Sequence, residues 1–251
     1  ALTWRAKPSI QQDAILIGGN VIQHDGLISR HYIYKTDQYW CAAVSDGVSS
    51  SPKAEQASKA VLNSVLAQSQ TQTRIWLQKV QDDLSTALAS NSKTYGSSAT
   101  LAAVSSSIPH GFVNIHHVGD SRVYLFRSYN QQWYALTKDH NFITEMQQSG
   151  EIEIKEDEQY ASFYYMLNHC FCADSLHEVP EFKPQEQYLV EGDVLLICSD
   201  GVHDVLECTH WQPLLPEIPL KTWLTEMRNA LHQNHAFDNA SMILVRLIST
   251  G

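Results

Sequence analysis

The order of the apolar segments constrains this chain most. Two helical segments, at 54–65 and 77–88, follow one another, and both carry apolar residues at steps of three and four. A long series of strand-like segments comes next, and a further helical segment near 220–231 precedes the last strand. The strand pattern occurs at residues 14–17, 40–44, 99–104, 112–118, 123–126, 194–198 and 241–248.

This order favours antiparallel sheets. Paired helices and strands in series suit hairpin connections, whereas a parallel sheet needs strict alternation of strand and helix. With 251 residues, the chain is long enough to bury a large core without disulfide support. We therefore expect one α+β domain over residues 1–251.

Composition argues against several classes of function. The chain has 17 basic and 27 acidic residues, a balance unsuited to binding nucleic acid. Apolar runs such as 194–198 fall far below the ~20 residues of a membrane helix, and the first residues lack an apolar signal core. The five cysteines are an odd number, and Cys41 and Cys198 lie in apolar runs. We expect a monomer in the reducing cytoplasm, bound to neither nucleic acid nor membrane.

A polar stretch interrupts the second half of the chain. Five carboxylates crowd between Glu151 and Glu158, and apolar residues are few around them. Such a segment is typical of a mobile surface loop. The sequence predicts a flap at about 147–165.

An aspartate stands at one end of each of five predicted strands. Two of these aspartates, at 46 and 200, are followed by glycine. In antiparallel sheets the alternate ends of neighbouring strands meet at one edge, so we expect the five carboxylates to converge. They are Asp13, Asp46, Asp120, Asp200 and Asp238.

Such a cluster repels itself unless the carboxyl pKa values rise or cations bind. Hard divalent ions such as Mg²⁺ and Mn²⁺ prefer oxygen ligands, and Gly47, lacking a Cβ, lets its carbonyl approach a metal closely. The alternative for each residue alone is ordinary: Asp-Gly pairs form turns, and Asp13 and Asp238 are typical caps or turn formers. Together the five residues indicate a metal site.

In their order, the segments resemble the metal-dependent protein phosphatases of type 2C, particularly the bacterial ones. The resemblance extends over nearly the whole chain. It is carried by QQDA (11–14), AAVSDGVSS (42–50), GSSAT (96–100), HVGDSRVYLF (117–126), LTKDHNF (136–142), EGDVLLICSDGVHDVL (191–206) and DNASMILV (238–245).

The resemblance implies an αββα sandwich, in which two antiparallel sheets pack face to face between helix pairs. It also implies two Mn²⁺ or Mg²⁺ ions with a possible third. By position, Asp46 would bridge both ions, the Gly47 carbonyl would bind one, and Asp200 and Asp238 the other. Asp13 would hold metal-bound water. The third ion would lie between Asp120 and Asp200.

The implied reaction is hydrolysis of phosphoserine or phosphothreonine in proteins. Water activated by two metals attacks phosphorus, so no protein nucleophile is needed. This agrees with the sequence, which has no G-x-S-x-G elbow, no Gly-Lys-Ser/Thr phosphate loop and no C-x-x-C pair. The implied partners are a phosphorylated protein and a cognate Ser/Thr kinase.

The chain departs from the family pattern in three places. Pro8 occupies the position of the usual phosphate-binding arginine, and Arg5 and Lys7 are the nearby basic residues that could replace it. The usual glycine pair after the Asp-Gly segment is here Ser49–Ser50, and the usual acid beside the first aspartate is Gln12. We expect an active enzyme, because every expected metal ligand is present. The alternatives are a pseudophosphatase that binds phosphoproteins and a phosphatase of small esters.

Histidines and cysteines offer a competing kind of site. The spacing in NHCFC (168–172) does not fit a closed zinc site, so we expect core packing there. We expect His140 and His203, which lie nearer the aspartates, to make structural hydrogen bonds.

Overall fold

The computed structural model describes residues 1–27, 31–35, 37–70, 75–107, 111–153 and 160–248. Its strands are β1 (Leu2–Trp4), β2 (Ala14–Ile17), β3 (Asn20–Ile22), β4 (Gly26–Leu27), β5 (Cys41–Ser45), β6 (Ser98–Ala99), β7 (Leu101–Ser106), β8 (Phe112–Val118), β9 (Arg122–Arg127), β10 (Gln132–Ala135), β11 (Phe171–Cys172), β12 (Gln185–Tyr188), β13 (Val194–Cys198) and β14 (Ala240–Arg246). Its α-helices are α1 (Ala54–Gln70), α2 (Leu77–Leu88), α3 (Phe142–Ser149), α4 (Asp200–His203) and α5 (Leu220–Gln233).

Two six-stranded antiparallel sheets form the centre of the molecule. One has the strand order β10-β9-β13-β14-β1-β4, and the other has the order β12-β8-β7-β5-β2-β3. Within the first sheet, Ile197 of β13 pairs with Ile243 on one side and Val123 on the other. Within the second, Ile15 of β2 pairs with Val44 of β5. A short β6-β11 pair stands apart from both sheets.

The two sheets pack face to face through one apolar cluster. It joins Ile15, Val44 and Val104 from one sheet to Ile197 and Ile243 from the other, all fully buried. A second cluster seats α1 and α2 on the outer face of β2, β5 and β7, and a third seats α5 on the outer face of β13 and β14. The layers therefore run helix, sheet, sheet, helix, which confirms the expected αββα sandwich.

Helix α3 was not predicted from the sequence, and its last residues, 147–149, fall within the predicted flap. Asn141 caps it: the Asn141 side chain accepts a hydrogen bond from the Thr144 amide, 3.0 Å away. Gly150 ends it in the left-handed conformation, with φ of 78°. A 3₁₀ helix covers Ser162–Tyr165, and residues 154–159 of the predicted flap lie outside the described residues.

All five cysteines are free. Cys41 and Cys198 are buried in strands, and burial raises the pKa of Cys41 to about 12, so this thiol stays protonated. The NHCFC segment contributes β11, where Phe171 is fully buried. In the part of the chain that the structure describes, no helix has both the length and the apolar character to cross a membrane.

Candidate active site

Strand pairing brings the first two aspartates together. Asp13 comes directly before β2 and Asp46 directly after β5, and these strands are antiparallel with Ala14 opposite Ser45. Asp13 and Asp46 therefore lie at the same edge of their sheet. Both carboxyl groups are close enough to share a hydrogen bond when one of them carries a proton.

The other sheet delivers the remaining three aspartates to the same end. Asp200 lies two residues beyond β13, whose last residue, Cys198, pairs with both Met242 of β14 and Arg122 of β9. Asp238 and Asp120 each lie two residues before the start of β14 and β9. All three thus flank one edge of three adjacent strands.

Ser199 joins the two sheets at this point. Its hydroxyl donates to Asp13 Oδ2 over 2.7 Å and accepts a hydrogen bond from the Ser241 amide over 3.0 Å. Asp13 and Ser199 are both fully buried. Burial raises the pKa of Asp13 to about 6, although hydrogen bonds from Asp46 and Ser199 oppose the rise.

The neighbouring carboxyl groups are perturbed in the same direction. Burial raises the pKa of Asp46 well above its usual value, and the charges of Asp13 and Asp200 raise it further. Burial likewise raises the pKa of Asp200, with a contribution from Asp238. The pKa of Asp120 is raised well above the ordinary value by burial and by the charge of Asp200. The cluster therefore favours either protons or cations.

The cluster offers the right chemistry for a hard divalent cation. The Oδ1 atoms of Asp13 and Asp200 are buried and accept no hydrogen bond from the described residues. Such oxygens suit Mg²⁺ or Mn²⁺. As the side chains stand, however, no three His, Cys, Asp or Glu residues among those described meet around one point suited to an ion. An ion held by the side chains as they stand would therefore draw some of its ligands from backbone carbonyls and water.

Thr100 ties Asp46 to the loop that carries Asp120. The Thr100 amide donates to the Asp46 carbonyl at 2.8 Å, and the Asp46 amide donates to Thr100 Oγ1 at 3.1 Å. Thr100 Oγ1 also lies 2.7 Å from Ser121 Oγ, next to Asp120. The sequence contained this threonine in the GSSAT segment but gave no sign of its contacts.

Both Asp-Gly pairs need their glycine for packing. A Cβ on Gly47 would lie 2.3 Å from the Ala54 carbonyl oxygen at the start of α1. A Cβ on Gly201 would lie 2.0 Å from the carbonyl oxygen of Asn239. The role of the Gly47 carbonyl as a metal ligand stays a prediction.

The two candidate phosphate-binding residues lie in the exposed loop before β2. The Arg5 guanidinium donates from Nη1 to the Ser9 carbonyl over 3.0 Å. Lys7 is exposed and makes no ion pair or hydrogen bond with any described residue. Neither cation forms an ion pair with a described residue, and of the two only Arg5 uses a side-chain nitrogen in a hydrogen bond.

His140 and His203 make the structural hydrogen bonds expected of them. The Gly119 amide donates to His140 Nδ1 at 3.2 Å, and His203 Nε2 lies 3.0 Å from the Asp120 carbonyl. The two rings thus bond the backbone of two successive residues, Gly119 and Asp120, and hold this loop in place. A further brace, which the sequence did not indicate, is the two-bond pair between Arg122 and Asp139, with distances of 2.6 and 2.7 Å.

The comparisons with known proteins agree with this geometry. A family model described as Protein phosphatase 2C matches residues 23–245, which leaves Asp13 and the loop before it outside the match. No curated protein matches the chain by sequence.

Solved structures share the fold at low identity. The S. agalactiae serine/threonine phosphatase has a TM-score of 0.75 and 18% identity, covering 99% of this chain and 98% of its own. The Mycobacterium tuberculosis phosphatase PstP/Ppp has the same TM-score and identity, with coverages of 98% and 97%. A PstP catalytic domain in complex with two manganese ions has a TM-score of 0.69 and 17% identity, with coverages of 98% and 96%. By the match of its sequence to the family model, the chain belongs to the protein phosphatase 2C family of phosphoric monoester hydrolases.

Proposed function

We propose that this chain is a Mn²⁺- or Mg²⁺-dependent protein phosphatase that hydrolyses phosphoserine and phosphothreonine. One observation supports this most: Asp13, Asp46 and Asp200 converge from two sheets, with raised pKa values and two buried, unpartnered oxygens. A cluster that favours cations this strongly suits a catalytic metal centre. The similar PstP structure holds two manganese ions.

In this proposal, each aspartate has a distinct role. Asp46 would be shared by two ions, Gly47 would contribute its carbonyl to one, and Asp200 and Asp238 would help to hold the other. Asp120, together with Asp200, would hold a third. When bound, the ions supply activated water and neutralise the phosphoryl oxygens.

Asp13 would orient the attacking water. Its Oδ2 is held by the Ser199 hydroxyl, which leaves Oδ1 as a fixed acceptor for a water proton. No protein side chain needs to act as the nucleophile. The role of the chain is therefore to hold charges and water in place around the phosphoryl group.

Lys7 and Arg5 would replace the arginine that relatives carry at the position of Pro8. Lys7 has an uncommitted ammonium group, and Arg5 has guanidinium nitrogens beyond the Nη1 that bonds Ser9. A lysine offers a point charge where an arginine offers a planar fork. We therefore expect Lys7 to be the main phosphate contact and phosphate affinity to be modest.

The resemblance to the family also suggests a wider setting. We propose a single catalytic domain over residues 1–251 that acts as a monomer in the cytoplasm. Its substrates would be phosphoproteins made by a partner Ser/Thr kinase. We also propose a surface flap at about 147–165, of which residues 154–159 lie outside the described residues.

Hydrolysis of a phosphothreonine peptide tests the proposal. The purified chain is assayed with Mn²⁺ titrated in and then removed by chelator, beside Asp200→Ala. Asp82→Ala serves as a matched control, because Asp82 is exposed on α2. We expect metal-dependent turnover in the wild type and control, and none in Asp200→Ala.

Three results would contradict it. Undiminished turnover by Asp200→Ala would exclude the metal assignment. A silent wild type that binds the phosphopeptide at saturating Mn²⁺ would identify a pseudophosphatase. A higher kcat/KM for small phosphate esters than for phosphopeptides would identify small esters, and not phosphoproteins, as the substrate class.

A further inference from the structure

We infer that Asn239 is a positioning residue that clamps the basic loop, residues 5–12, against the edge where the aspartates meet. Its side chain is 1% exposed. Asn239 Oδ1 accepts a hydrogen bond from the Gln12 amide over 2.7 Å, and Nδ2 donates to the Arg5 carbonyl over 2.9 Å. One amide group therefore holds the loop at both of its ends. The inference rests on the proposed function, because it assigns the clamp a catalytic purpose.

The clamp begins where backbone pairing stops. Strand β1 pairs with β14 through Trp4 and Ala240, and no later pair follows. Directly afterwards the chain turns at Ala6, whose φ of 49° is unfavourable for a residue with a Cβ. Beyond the last strand pair, the Asn239 side chain supplies the next hydrogen bond to this segment, at the Arg5 carbonyl. On the other side, Asp25 Oδ1 accepts from the Arg5 amide at 3.2 Å.

Asparagine suits this position because the two ends of its side chain differ. One end must accept a hydrogen bond from the Gln12 amide and the other must donate one to the Arg5 carbonyl. An aspartate could serve Gln12 but not Arg5, and an aliphatic side chain could serve neither. Both hydrogen bonds are partly buried, so their loss would leave two backbone groups poorly satisfied in the docked loop and would favour its detachment.

The clamp aligns three parts of the proposed site. Gln12 precedes Asp13, the residue that would orient water. The Asn239 backbone amide donates to Oδ1 of Asp238, itself a proposed metal ligand, over 2.7 Å. Lys7 lies between the two clamped ends of the loop. Asn239 itself is fixed, because its carbonyl packs against Gly201 with no room for a Cβ.

A double-mutant comparison tests the kinetic purpose of the clamp. Variants Asn239→Ala, Lys7→Ala and the combination are assayed with a phosphothreonine peptide at saturating Mn²⁺. We expect Asn239→Ala to raise KM about 10-fold and to lower kcat less than about 3-fold, since Lys7 loses its place while the metal ligands remain. In the Lys7→Ala background the same change should raise KM less than about 2-fold, because the two residues act as a unit.

Amide hydrogen exchange tests the clamp without catalysis. We expect faster exchange across residues 5–12 in Asn239→Ala and no change in Asn234→Ala. Asn234 is a matched control: it is exposed, and its side chain donates to the Ala230 carbonyl at 2.9 Å. Unchanged exchange in Asn239→Ala would overturn the clamp. An equal rise in KM in both backgrounds would overturn its role in positioning Lys7. If the wild type has no phosphatase activity but Asn239→Ala still exchanges faster across residues 5–12, the proposed function is wrong and the clamp is supported.

Discussion

Two regions of the molecule differ in how far their buried polar groups are satisfied. One is the carboxylate edge, where Asp13, Asp46 and Asp200 meet at the strand ends, and the other is the tryptophan cluster under α5. In the cluster, Trp133, Trp211 and Trp223 pack with ring centroids 5.4 to 6.4 Å apart. Each indole N–H donates to a backbone carbonyl, at 2.9 to 3.2 Å. At the carboxylate edge, Asp13 and Asp200 keep buried oxygens that no described residue satisfies.

This difference indicates that the tryptophan cluster serves stability and the carboxylate edge serves function. The tryptophan cluster satisfies each of its indole donors and buries large apolar surface, so it stabilises the fold. The carboxylate edge gathers like charges in a buried place, which destabilises the fold unless protons or cations intervene. Unfavourable buried charges and unsatisfied polar atoms are expected at functional sites. The predictions below test that division.

The largest expected effect is on activity. Asp46→Asn should lower turnover of a phosphothreonine peptide by about 10³-fold or more, since it removes a charge on which metal activation depends. The same variant should raise the metal-free unfolding free energy, because it relieves repulsion with Asp13 and Asp200. Kinetics and urea unfolding in chelator measure the two effects. A variant that loses activity and stability together would contradict the division, and exposed Asp82→Asn is the control.

Trp223→Ala should show the converse behaviour. Truncating this indole, which is 2% exposed, should cost about 3–5 kcal/mol of unfolding free energy. At a temperature where the variant stays folded, kcat should change little. Trp76→Ala is the matched control, because Trp76 is 62% exposed and should contribute below about 0.5 kcal/mol. Comparable losses for the two tryptophans would refute the cluster's role.

The metal-free protein should lose stability through its carboxylates as pH rises. The folded pKa of Asp13, about 6, is raised above its ordinary 3.8. Its favourable contribution is therefore complete below pH 3.8 and is lost as pH rises through about 6. The unfolding free energy of Asp13→Asn minus that of wild type should grow by about 2–3 kcal/mol from pH 4 to pH 7.

Adding Mn²⁺ should reverse this trend. The ion neutralises the ionised carboxylates, so the thermal midpoint should rise more at pH 7 than at pH 5. Thermal unfolding of the wild type and Asp13→Asn at pH 4, 5 and 7, with and without Mn²⁺, measures both effects. A difference between wild type and Asp13→Asn that is flat with pH would contradict the raised pKa.

The smallest expected effect concerns Thr100. Thr100→Val removes the hydroxyl that accepts from the Asp46 amide and contacts Ser121. We expect a loss of about 1–2 kcal/mol in unfolding free energy and reduced turnover, and Thr100→Ser should restore both. Urea unfolding and phosphopeptide kinetics measure these effects. If valine behaves like threonine, the hydroxyl does not hold the two loops.

Much of the fold could be predicted because it depends on local patterns. Apolar runs placed β2, β8 and β13 at their observed bounds. Period-2 and period-3.6 patterns reflect burial directly, and the order of elements limited the topology. The first two aspartates could then be placed at strand ends, where pairing brought them together.

The rest depends on contacts between distant parts of the chain. Helix α3 buries only Ile143, so its apolar face was too small to recognise from the sequence. The contacts of Thr100 and Asn239 depend on strand register across the sandwich, which local sequence does not encode. The glycine at 47 is required by the start of α1, a neighbour that only the folded chain supplies.

Titration calorimetry with Mn²⁺ on the wild type and Asp46→Asn tests the central claim most directly. The account predicts that the wild type binds at least two Mn²⁺ ions and that Asp46→Asn loses this binding while remaining folded. Equal Mn²⁺ binding by the two proteins, or none by the wild type, would contradict the assignment of the carboxylate edge as the metal centre.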